Sequence, residues 1–219
     1  MLQDAAGRAE LQRLGARSIP VLSRGDEFVF AQNIAQVVAF LKLDEKTGPV
    51  LSPTQLVERL LRFIDASVAI IPLMPDDRLD TEVPNRPRRY RVLAHHMFRI
   101  PEAFVEVAAG AFFAQGLPTA VPDARDMECG AALAAYGRRV RARVAEWWGA
   151  TPDKSAKGAV ETYYGTQSLH EVLERATWHI GQHTRQWMML LEMAGIAFER
   201  PLGDADFGDL PMPKQVWDG

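Results

Sequence analysis

Trp178-His179-Ile180-Gly181-Gln182-His183-Thr184-Arg185-Gln186 lies inside the longest helical pattern of this chain. Apolar residues recur around it at Val172, Leu173, Ala176, Ile180, Trp187, Leu190 and Leu191, the spacing of one helix face. His179 and His183 sit on or beside that stripe. Four residues apart, two imidazoles leave a helix on the same side, roughly 5–6 Å apart at Cβ, which suits two ligands on one divalent ion. An imidazole facing a core is costly unless a hydrogen-bond partner or a metal satisfies it. The plain alternative is a histidine pair on a partly wetted face.

A third histidine bears on that choice. Arg91-Val92-Leu93-Ala94-His95-His96-Met97-Phe98-Arg99-Ile100 also reads as helix, with Leu93, Met97, Ile100 and Phe104 inward. His96 falls on this inward face. His95 falls about 100° away, beside Arg91, Arg99 and Glu102, and is expected at the surface. His170, on the opposite side of the last helix from His179, is expected to face solvent. Neutral nitrogens from His96, His179 and His183 would leave a coordination position for water or substrate, the pattern of a catalytic and not a structural site. Zinc suits such a set, and nickel, iron or cobalt bind it as well. Near it, Gln182 and Gln186 are candidates to orient ligands or substrate, and Arg185 to pair with a carboxylate of a thiol or substrate. Each of the three is otherwise a helix-surface residue.

Composition narrows the function classes. The chain has 219 residues, 47% hydrophobic and 24% charged, with a net charge of −3, an ordinary globular profile. That charge gives no electrostatic case for nucleic acid, and the run Arg86, Arg88, Arg89, Arg91 reads as a solvated helix start. No apolar run approaches the roughly 20 residues of a membrane span, and the first residues lack a signal-peptide pattern. The single cysteine, Cys129, excludes an intrachain disulfide and a CxxC pair, and it reads as a helix-packing residue. The expected setting is a reducing cytoplasm.

A polar, turn-prone stretch, Lys42 to Pro53, separates two regions. Residues 1–43 form a short α/β segment: a helix near Leu2–Leu14, a hairpin through Val21–Phe30 turning at Gly25, and a helix from an Asn33 N-cap to Leu41. So short a piece cannot bury much core unaided and must pack on the rest or on a second subunit, as in a homodimer. Residues 52–195 carry four helical patterns of about 20 residues, which makes the fold mainly α, a four-helix bundle. Two of these helices open on capping boxes, Ser52–Gln55 and Ser168–Glu171. Pro101 is expected to kink the second or break its hydrogen bonding locally. The stretch 149–167 reads as loop, and 196–219 as an irregular tail over the surface.

The bundle region resembles the DinB-like metal-binding superfamily, which has a histidine in its second helix and HxxxH in its last. His95-His96-Met97-Phe98-Arg99-Ile100 resembles the former, and Trp178 to Gln186 the latter, including the trailing glutamine. The resemblance implies metal binding and a relation to thiol-dependent transferases and isomerases. Residues 1–43 resemble the second half of a glutaredoxin, with Ser18-Ile19-Pro20 at the place of its cis-proline loop. The first strand and the CxxC helix are missing, so disulfide exchange is excluded. By analogy, Ile19, Gln32 and Asn33 would retain a peptide-thiol site, glutathione being the expected thiol; the alternative is a remnant kept for packing or dimer contacts.

Three functions follow from these patterns. The metal activates a thiol, which attacks a small electrophile in S-transfer or isomerisation. Alternatively it activates water, and the chain is a hydrolase. A third possibility is a non-catalytic metal-binding or sensory bundle. The absence of HExxH, and of any acid placed at the site by helical phase, favours the thiol route.

Overall fold

A computed structural model describes residues 4–16, 19–32, 34–45, 47–84 and 86–217. The chain is mainly helical with two small two-stranded sheets. It divides into two compact units, Met1–Gly48 with Tyr164–Thr166, and Pro49–Tyr163 with Gln167–Gly219.

In the first unit, helix α1 (Ala5–Leu14) begins where the Asp4 carboxylate accepts from the Gly7 N–H and ends at Gly15, in the left-handed region at φ 69°. Strands β1 (Val21–Arg24) and β2 (Glu27–Phe30) pair antiparallel, Val21 opposite Phe30, and helix α2 (Ile34–Leu41) follows. The Ile19–Pro20 peptide is cis. Asn33, expected as the α2 cap, lies outside the described residues. No described residue before Leu51 is fully buried, as the shortness of the segment requires.

The second unit is built on α3 (Pro53–Ile70), α4 (Tyr90–Ala108), α5 (Gly130–Ala150) and α6 (Leu169–Met193). Both α3 and α4 pack against α5 and α6. Helices α3 and α6 open on the capping boxes expected at Ser52 and Ser168. The rotation of α6 is fixed by its contacts with α3. Ser67 and Thr184 share a buried hydroxyl hydrogen bond of 2.9 Å, and the Trp187 indole N–H donates to the Ile70 carbonyl at 3.2 Å. Gly181 lets the two helices approach, because a Cβ there would lie 2.8 Å from the Phe63 ring. This packing sends His179 and His183 off the other side of α6, toward α4.

Helix α4 runs continuously with Pro101 inside it, where the missing N–H donor is a local loss that does not end the helix. Several other expectations change. Residues 149–167 are not all loop, since β3 (Ala159–Thr162) and β4 (Gly165–Ser168) form the second small sheet. The tail is not merely draped: it holds helix α7 (Asp204–Phe207), Phe207 stacks on Phe63 at 5.4 Å, and Leu202 and Leu210 are buried. Cys129 caps α5, its Sγ accepting from the Ala132 N–H at 3.4 Å. His170 is half-buried and bonded through Nε2 to the Leu51 carbonyl at 2.8 Å, where solvent was expected.

The largest correction concerns α4. Its charged face is interior, with His95 2%, Arg99 3% and Glu102 9% exposed. Helix α5 covers it: Tyr136 stacks on His95 at 4.8 Å and donates to Glu102 at 2.5 Å, and Arg143 also donates to Glu102. A polar face reads as solvent only if no neighbouring helix supplies matching partners. Among the described residues, no helix is long and apolar enough to cross a membrane.

Candidate metal centre

His96 on α4 and His179 and His183 on α6 converge. One ring nitrogen from each lies within 4.8 Å of the other two, and the ring centroids are 4.8–5.3 Å apart. Helical phase selected His96 over His95, and the structure brings His96 to the pair. The His95 ring instead lies against Tyr136.

Hydrogen bonding fixes how two of the rings are presented. His96 Nδ1 is 2.6 Å from the Pro118 carbonyl oxygen, which can only accept, so Nδ1 carries the proton and Nε2 keeps its lone pair. His183 Nδ1 is 2.7 Å from Gln186 Oε1. The Gln186 amide is itself oriented, because its Nε2 donates to the Val216 carbonyl at 2.9 Å and so leaves Oε1 to face the imidazole. His183 Nε2 is therefore the unprotonated nitrogen, and it is enclosed without a hydrogen-bond partner among the described residues. An orphaned lone pair on a buried imidazole calls for an acid, either a proton or a cation. The proton is disfavoured: burial first, then the charge that would sit on His96, push His183 down to about 3. Burial, with Arg88 next, pushes His96 down to about 4, and burial holds His179 well below the ordinary histidine range. Three neutral imidazoles, two of them oriented by hydrogen bonds, fit a divalent cation.

These rings line a cavity of about 410 Å³. Ile100, Phe104, Phe113 and Trp178 supply apolar wall, Gln182 and Gln186 line it as expected, and Arg86, Arg88, Arg175 and Trp217 join them. No Asp or Glu is among the lining residues. Comparison of the chain with protein-family models, with curated proteins and with solved structures finds no match.

Arg185 does not line this cavity. It donates to Gln182 Oε1 at 3.2 Å and to the Pro213 carbonyl at 3.1 Å, and it lines a separate recess beside Phe207. Its position one residue before Gln186 turns it around the helix to the tail. Ile19 and Gln32 come together in the first unit, Gln32 Nε2 donating to the Ile19 carbonyl at 2.8 Å, and Asn33 lies outside the described residues. Arg86 and Arg88 were expected in a solvated helix start; both line the cavity, Arg86 remaining exposed and Arg88 half-buried. Helical periodicity could not place them, because both precede α4. The Pro118 carbonyl and Trp217 were equally illegible: one is backbone, the other sits in a segment with no period.

The depressed histidine pKa values make stability depend on pH. In the unfolded chain histidine takes up its proton near pH 6.5, above the folded values. As pH falls below about 6.5 the unfolded state thus binds more protons, and stability declines until the folded sites titrate. For His96 alone the loss is on the order of 3 kcal/mol by pH 4. Urea denaturation of chelator-treated protein at pH 7.5, 6 and 5 should show this decline, more steeply still with metal bound, since ligation requires neutral imidazoles. A flat profile over that range would contradict enclosed, neutral histidines.

Proposed function

We propose that the second unit is a DinB-like four-helix bundle whose three histidines hold a divalent ion, zinc being the first expectation, and that the chain is a metal-dependent enzyme. It uses a low-molecular-weight thiol, glutathione in the first instance, for S-transfer to, or isomerisation of, a small electrophile. The observation that carries this reading is a cavity with three neutral imidazoles and no carboxylate on its wall.

A divalent ion at the three nitrogens supplies a Lewis acid that keeps a thiol ionised near neutral pH. The chain supplies the rest. The Pro118 carbonyl and Gln186 Oε1 hold His96 and His183 in the ligating tautomer, and the aromatic wall limits water around a nucleophile. Hydrolysis would call for a general base within reach of the attacking water. Glu174, the acid nearest to His179 in sequence, is absent from the cavity wall, and burial raises its pKa. The Ile19 carbonyl, a backbone acceptor that a peptide thiol would use, is already engaged by Gln32. That favours the histidine cavity as the place where the thiol is held, with the first unit kept for packing or for contacts in a homodimer.

The test is turnover of an activated aryl halide with and without glutathione, before and after chelation. The expected result is a rate that needs both thiol and metal. Thiol-independent cleavage of esters or amides would make the chain a hydrolase. Stoichiometric metal with neither reaction would leave a metal-binding or sensory bundle.

A further inference from the structure

The histidine cavity has a chemical bias that three imidazoles do not explain. Its charged wall residues are Arg86, Arg88 and Arg175, with no acid among them. Arg88 is the informative one. It is half-buried, and no carboxylate pairs with it among the described residues. The charge acting on it is that of Arg86, of like sign. Its neighbours in sequence are treated differently: Arg89 and Arg91 both pair with Asp80, at 3.1 and 2.8 Å. A cation drawn out of water without a counter-ion is expensive, unless a ligand brings the opposite charge.

The tail adds an unsatisfied donor. Gln182 Nε2 donates to the Gln215 and Val216 carbonyls at 3.2 and 2.6 Å, Gln186 Nε2 to Val216 at 2.9 Å, and Arg185 to Pro213 at 3.1 Å. These bonds seat the next residue, Trp217, on the cavity wall, with its indole N–H buried and without an acceptor among the described residues. A buried indole N–H ordinarily finds an acceptor. Guanidinium and indole groups can only donate, so the missing partner is acceptor-rich.

We propose that this cavity takes a small anionic molecule, whose carboxylate or phosphate group is met by the Arg88 guanidinium and the Trp217 indole N–H. The proposal rests on the reading of the cavity as the reaction site, and it names the charge of the reactant held there. The three histidines then face the reacting end of the molecule, while the donors grip its anionic end.

The test is titration of succinate and of inorganic phosphate into the full chain, followed by calorimetry and by tryptophan fluorescence, as purified and after dialysis against EDTA. Saturable binding that survives chelation is expected, about tenfold weaker in Arg88→Gln and about threefold weaker in Trp217→Phe, with circular dichroism unchanged. Tighter succinate assigns a carboxylate and tighter phosphate a phosphoryl group, and either supports the subsite. No saturable binding overturns it, as does an affinity that neither substitution alters. Binding that chelation abolishes overturns it as well, because the anion then sits on the metal. Absent thiol-dependent turnover with anion binding intact would sink the transferase reading alone.

Discussion

Replacing His96, His179 and His183 together by alanine is expected to give a protein that purifies without divalent metal, whereas the unaltered chain carries about one ion. Emission spectrometry on both, prepared side by side, reads the difference directly. The basis is the enclosed, unprotonated Nε2 of His183 and the matched presentation of His96. The triple variant should also lose the response of melting temperature to chelator, since an ion bound a thousandfold above its Kd adds about 4 kcal/mol to folding. Gln186→Leu should fall between the two, because it frees the His183 tautomer while leaving the ring in place. Loss of such an orienting partner typically weakens metal binding 10- to 100-fold. Equal metal in the unaltered and triple-alanine proteins would remove the ground for a metal centre, and with it the proposed reaction.

Why the three histidines were legible and much of their surroundings was not follows from what periodicity measures. His179 and His183 lie four apart beside a stripe that runs from Val172 to Leu191, and that stripe is buried. His96 shares the phase of Leu93 and Ile100, 1% and 4% exposed. Short-range spacing was enough there, as it was for the capping boxes at Ser52 and Ser168. It failed where a residue's place is set by a partner distant in sequence. His95 and Glu102 are interior because Tyr136 and Arg143 come from α5 to meet them. Arg88 and Trp217 reach the cavity from stretches without regular structure, which carry no period to read. The hairpin of β3 and β4, four residues in each strand, is too short to stand out from a loop composition.

The interior polar network on α4 should make Glu102→Ala the most destabilising single substitution at the α4–α5 contact. The Glu102 carboxylate accepts from Tyr136 at 2.5 Å, from Arg99 at 3.0 Å and from Arg143. Removing it leaves the Arg99 side chain, 3% exposed, with Glu106 as its remaining acid, and leaves the phenol of Tyr136 without its acceptor. Burial, then the bond to Glu102, hold the Tyr136 pKa well above its ordinary value, so in the unaltered protein the phenol is the donor. Breaking one partner of a buried ionic group costs about 3–5 kcal/mol, which for a unit of this size lowers the melting temperature by roughly 10 °C. Glu102→Gln keeps the shape and an acceptor for the phenol and should recover part of that loss. Neither substitution touches the ring nitrogens of His96, so at low temperature both variants should bind metal as the unaltered chain does. Calorimetric melting of the two variants separates the outcomes. A shift under about 2 °C for Glu102→Ala would mean that water reaches the network and that α5 is not what buries this face.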